Sequence, residues 1–409
     1  MAVAVPRSRS RNSAIELLRL LAMLMIVGYH YVRGAEIGEW GDWVASQSIS
    51  VKKFVYQFIF ESGGWIGNCI FFTISVWFLV DRSQTLKGSL RRVWIMEREL
   101  LFWSLLLLAA SFGLAKAGWV HRNMLSLSAA SIFPISLDLW WYATSYALFL
   151  LFLPFLMVGM KALTKNQHKT LALFMLIIWG LLGVIPHVTY DLTKASVFVF
   201  IYWFILITYY KWRMKRITVK QSWILIAIGV SINIVYWFAT NIIFETTGRF
   251  PSLQNYQNDH WFISSMMIGF GVFSLAEKCE WHNTVVNLFA SAAFGVYLIH
   301  TYWTIPRIWD HSFSIRVSYM HDHAILFGAG VILSIFIVCL LLSLLRVLLF
   351  KYTIDVRRGA LFDKLWEALS KKLSRSGGHS SKGRDSEGGG SGHPSVSSAN
   401  LADVVPERS

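Results

Sequence analysis

Three ionisable residues fall inside the first apolar run of this chain. Residues 13–32 are otherwise hydrophobic but carry Glu16, Arg19 and His30. Inside a membrane span such groups cost roughly 2.5–3.5 kcal/mol on insertion scales, which makes them candidates for function. An arginine keeps its charge and holds anions, and an imidazole exchanges a proton near neutrality. Arg19 and His30 are separated by eleven helical steps. Those steps close about three turns, so the two side chains share a face about 16 Å apart along the axis. Glu16 lies three residues before Arg19 on that face, where an ion pair would offset burial of the guanidinium. The plainer reading of either residue alone is snorkelling or packing near a span end. Two on one face weigh against it.

Other residues are weaker candidates. His300 closes a late apolar run at a depth similar to His30; it either relays to His30 or is a buried histidine satisfied by a carbonyl. Tyr142 and Tyr146 share a helical face, for aromatic packing or for substrate contact. Glu61 opens the Gly-rich stretch ESGGWIG (61–67) and reads as a solvated loop residue, its alternative being to polarise a histidine. The connections hold His121 and Arg122, Asp259 and His260, His311, and His321-Asp322-His323. That tripeptide lacks a third well-spaced ligand, so no metal is expected. Cys69, Cys279 and Cys339 have neither metal-ligand spacing nor the pattern of a disulfide framework. No Gly-rich phosphate loop, Cys/His nucleophile pair or Ser-centred elbow is present.

The elements that would position these residues are membrane helices. Of 409 residues, 55% are hydrophobic and only 15% charged, against roughly a quarter charged in a soluble domain. The 19 Trp, 15 Tyr and 29 Phe suit a chain with many helix ends at membrane interfaces. With about 20 apolar residues needed per crossing, about ten spans are expected, centred near 13–32, 62–80, 93–114, 138–159, 169–186, 195–210, 221–242, 260–276, 284–305 and 324–350. The net charge of +15 lies in short basic runs between these spans, the pattern of topogenic loops and not of a nucleic-acid groove. The basic runs at Arg7–Arg11, 81–92, 161–169, 211–220 and 351–358 alternate with longer, less basic connections. The expected fold is therefore an all-α, multi-pass membrane protein with both termini cytoplasmic, Arg19 toward the cytoplasm and His30 toward the far side. No cleavable signal is expected, because the first run contains Arg19 and passes straight into an aromatic stretch.

The chain divides, on this reading, into a cytoplasmic segment 1–12, a membrane domain 13–350, a basic amphipathic helix 351–374 and a disordered tail 375–409. Leu361, Phe362, Leu365, Trp366, Leu369 and Leu373 fall on one face of that helix, suiting an anionic cytoplasmic leaflet. The tail is Ser/Gly-rich and almost without apolar residues.

Residues 11–31, RNSAIELLRLLAMLMIVGYHY, resemble the first-helix signature of the membrane acyltransferase-3 family, an arginine, ten intervening residues and a histidine. Three later stretches resemble family elements in the same order: GWIGNCIFFTISVWFL (64–79), IFPISLDLWWYATSYALFLLFLPF (132–155) and GVYLIHTYW (295–303). Ser75-Val76-Trp77 stands where the family usually has Ser-Gly-Tyr/Phe, and its basic element is reduced to Arg91 and Arg92. The resemblance implies an O-acyltransferase of the cell membrane that moves an acyl group, acetyl foremost, from acyl-CoA to a polysaccharide. It also implies roles. His30 would be general base or transient acyl carrier, His300 its partner or a contact to the acceptor, and Tyr142 a substrate contact. Arg19, Arg91 and Arg92 would bind the phosphates of cytoplasmic acyl-CoA. Two other readings stay open, a transporter or flippase of a lipid-linked glycan and a non-catalytic scaffold of the same fold. The transporter usually shows internal symmetry and more intramembrane acids, and neither is evident.

Overall fold

The computed structural model describes residues 11–33, 43–119, 123–182, 197–249, 254 and 260–379. Most of the segment 1–12, most of the tail 375–409, residues 183–186 and 195–196 of the fifth and sixth expected spans, and His121, Arg122 and Asp259 lie outside them.

All regular structure among the described residues is helical. The principal helices are α1 Ser13–Arg33, α2 Val51–Leu79, α3 Leu86–Lys116, α4 Trp141–Ala162, α5 Lys165–Met175, α6 Val197–Arg213, α7 Val219–Thr247, α8 Ile263–Lys278, α9 Thr284–His300 and α10 Ala324–Tyr352. Six of them (α1, α2, α3, α4, α7 and α10) are long and apolar enough to cross a membrane. The other four expected spans coincide with α5, α6, α8 and α9, each of 17 residues or fewer. Among the described residues, length and apolarity thus mark six candidate crossings. α9 is interrupted at Ala292 and ends at His300, short of the expected 305.

Polar caps set the helix ends. Thr85 accepts from the Gly88 N–H at the start of α3. Thr164 with Gln167 and Thr218 with Gln221 form reciprocal capping boxes on α5 and α7. Gly248, at φ 64°, closes α7 in the left-handed conformation that a side chain would strain.

The surface is apolar where a soluble protein's would be polar. Ile224, Ile228, Ile232 and Val235 on α7 are exposed, as are Leu333, Ile337, Leu341 and Leu345 on α10. These stripes run along whole helices and fit a lipid environment. Inside, small hydroxyl residues tie helices together: Ser104 Oγ donates to the Ser131 carbonyl at 2.6 Å, and Ser343 Oγ to the Ala292 carbonyl at 2.8 Å. The protein is a membrane protein on these grounds.

α1 and α2 pack closely through glycines. A Cβ on Gly67 would stand 2.6 Å from the Ala22 carbonyl oxygen, and one on Gly64 would run into Tyr29. Only glycine allows this approach. The Gly-rich stretch is therefore mid-helix, not a loop. α2 begins at Val51, capped by Ser50, about three turns before the expected start, and its Val55–Glu61 stretch is π-helical. Glu61 is consequently not solvated: it is 2% exposed and its Oε1 lies 2.8 Å from Arg33 Nε.

The chain separates into two compact units, 1–359 and 360–409. The described part of the second is α11, Ala360–His379. Leu361, Leu365 and Leu369 are exposed along it, and Phe362 stacks on Trp366 at 6.0 Å.

Candidate active site

α1 and α9 bring the two histidines of the sequence reading together. His30 Nδ1 lies 3.0 Å from His300 Nε2, although the residues are 270 positions apart. His300 is 1% exposed, and its Nδ1 is 2.6 Å from the Val296 carbonyl oxygen, one turn back on α9. A carbonyl oxygen can only accept, so His300 Nδ1 carries the proton. In the neutral ring its Nε2 is then a lone pair, and His30 Nδ1–H must be the donor toward it. His30 Nε2 is left as an unprotonated nitrogen on a partly exposed side chain. The backbone carbonyl thus fixes the tautomer of both rings, and the resulting lone pair can take a proton or attack a carbonyl carbon.

At the other end of α1, Arg19 Nη1 bonds Glu16 Oε2 at 2.7 Å, with Glu16 buried and the Arg19 side chain 25% exposed. One carboxylate oxygen leaves most of the five guanidinium donors for another anion. Arg92 Nη1 donates to Gln84 Oε1 at 2.6 Å. Arg91, one residue away, donates to the Arg358 carbonyl at 2.7 Å and packs under Gly359.

Tyr142 links α2 and α9. It is buried, and its hydroxyl is 3.0 Å from Ser75 Oγ. Its backbone N–H donates to the Tyr297 hydroxyl at 3.4 Å, and the Tyr297 and His300 rings are 6.3 Å apart. Trp140 Nε1 donates to the Leu298 carbonyl at 3.1 Å, fixing α4 against α9. The Ser75-Val76-Trp77 departure sits beside this path: Val76 is fully buried, and Lys211 Nζ stands 4.2 Å over the Trp77 ring.

His321 and His323 are exposed beside each other, with ring centroids 6.2 Å apart, and His311 stacks on Trp119 at 4.6 Å. Two residues read as belonging to connections are buried instead. Glu61 pairs with Arg33, one turn beyond His30, and His260 is 4% exposed among tryptophans.

A family model described as an acyltransferase domain, acyltransferase-3, matches residues 12–344. No curated protein and no solved structure matches the chain.

Proposed function

The chain belongs to the acyltransferase-3 family, and from that premise we propose an O-acyl transfer from a cytoplasmic acyl-CoA, acetyl-CoA foremost, to a hydroxyl of a cell-surface or secreted polysaccharide. The observation that carries the reading is the His30–His300–Val296 hydrogen-bonded chain. It presents one imidazole lone pair at His30 Nε2, held in the tautomer that transfer needs.

The roles follow from position. Ten spans with both ends cytoplasmic would place the basic connections, Arg19 and Arg92 on the inner side and His30 on the outer side of the cell membrane. The guanidinium groups of Arg19 and Arg92 pair with the phosphates of the donor. Arg91 supports them, anchored on the Arg358 carbonyl. The pantetheine arm then lies along the roughly 16 Å between Arg19 and His30, past Tyr142. At the outer end His30 Nε2 takes the proton of the acceptor hydroxyl as its oxygen bonds to the thioester carbonyl carbon. The carbon–sulfur bond breaks, and the CoA thiolate takes that proton back from His30. The imidazolium formed meanwhile on His30 is stabilised by its hydrogen bond to His300 Nε2. The same lone pair serves the variant in which His30 carries the acyl group as an acyl-imidazole before the hydroxyl accepts it.

Mass spectrometry of surface polysaccharide from cells with and without the protein tests the reading. Loss of an ester-linked mass that His30→Ala does not restore supports it. Unchanged acylation with failed export would point to a transporter instead.

A further inference from the structure

Every other buried histidine among the described residues has a carbonyl on one ring nitrogen: His168 faces Ile205 at 3.2 Å and His300 faces Val296. His260 has none. Both of its ring nitrogens are fully buried and lack a hydrogen-bond partner. The ring lies nearly parallel to Phe72 at 5.0 Å, Trp65 at 5.9 Å and Trp141 at 5.8 Å. The Trp65 indole N–H is likewise buried without a partner. The Trp261 indole N–H, on a ring 4.6 Å from His260, is a fourth such atom; native interiors pair nearly all such groups, so four orphan polar atoms on adjoining rings point to a ligand that supplies both donors and acceptors.

The surroundings indicate which ligand. Trp65 and Trp141 are partly exposed, and aromatic faces beside hydrogen-bonding groups suit a molecule with an apolar face and a polar edge. A pyranose has that form, with C–H faces and hydroxyls that both donate and accept. The position fits as well: Trp65 touches Tyr29 at 4.7 Å, and Tyr29 lies 5.0 Å from His30. We propose that His260, flanked by Trp65 and Trp141, is the acceptor subsite, where a sugar ring packs on the partly exposed tryptophan faces and, as those rings part around it, its hydroxyls pair with the imidazole and the Trp65 N–H. His260 is thus a positioning residue for the hydroxyl that His30 activates. This rests on the acyl-transfer reading above, but the binding it requires can be measured separately.

The test uses the full chain in lipid nanodiscs, with acetyl-CoA and short oligosaccharides cut from the producing cell's surface polysaccharide and stripped of esters. His260→Leu is expected to raise KM for the oligosaccharide about tenfold, with KM for acetyl-CoA within about twofold, and His260→Gln to recover part of the loss. Trp65→Phe keeps a ring and removes the N–H, so it decides the matter if His260→Leu does not fold. Saturation-transfer NMR of the same oligosaccharide on wild type and variant gives binding without turnover. If wild type transfers acetyl and the variants keep its acceptor KM, the subsite is overturned while the acyltransferase reading stands. If wild type does not transfer, that reading falls. The NMR signal then decides the subsite, its loss in the variant supporting the proposal and its persistence overturning it.

Discussion

Replacing His300 by alanine isolates the contribution of the second ring. His300 Nε2 accepts the His30 Nδ1–H bond at 3.0 Å, and the Val296 carbonyl holds His300 from behind at 2.6 Å. In the ground state that bond joins two neutral rings. In the transition state His30 is becoming an imidazolium, so the bond becomes charge-assisted. Hydrogen bonds to charged groups contribute about 1.5–3 kcal/mol, and each 1.36 kcal/mol is about tenfold in rate. His300→Ala is therefore expected to lower kcat about 10- to 150-fold while leaving KM for acetyl-CoA within about twofold, because the cations at the far end of α1 are untouched. His300→Gln retains an acceptor for the His30 N–H and should lie within about tenfold of wild type. The assay is initial-rate transfer of labelled acetyl in nanodiscs, normalised to folded protein by size exclusion and thermal melting. A His300→Ala protein with wild-type kcat, or one changed only in KM, would refute the relay.

The donor end makes a different set of predictions. Arg19→Ala and Arg92→Ala should each raise KM for acetyl-CoA about tenfold with little change in kcat, since a lost phosphate contact is felt before chemistry. Arg91→Ala should raise that KM as well, since one bond to the Arg358 carbonyl leaves further donors on its guanidinium; an unchanged KM at all three positions, read from the same initial rates, would sink the assignment. Gly67→Leu should destabilise the helix pair by about 1–3 kcal/mol, as the side chain meets the Ala22 carbonyl. An unchanged melting temperature in detergent would mean that α1 and α2 do not pack this closely.

Much of the molecule is legible in the order of its residues. Membrane residence follows from apolar runs too long and too numerous for a soluble core, and Arg19 with His30 on one face follows from the helical period alone. The acyltransferase-3 resemblance carried by residues 11–31, 64–79, 132–155 and 295–303 agrees with the domain match over 12–344. What periodicity cannot supply is register between distant helices. The 3.0 Å contact of His30 with His300 depends on how α9 stops at residue 300, and the interruption at Ala292 has no strong sequence marker. The burial of Glu61 is not legible in the sequence, because a π-helical stretch looks like an ordinary run of aromatic and polar residues. Its Ser50 cap lies about three turns upstream. The order of residues puts His260 in a charged connection beside Asp259, whereas its neighbours in space are Trp65, Phe72 and Trp141.

The central claim is that His30 Nε2 handles the proton or the acyl group. It is tested most directly by transfer of labelled acetyl from acetyl-CoA to ester-stripped surface oligosaccharide, using wild type and His30→Ala at matched folded concentration. The account predicts a loss of at least about 100-fold, the smallest contribution expected of a positioned general base, with acetyl-CoA binding retained. Transfer by His30→Ala at a rate near wild type would contradict it.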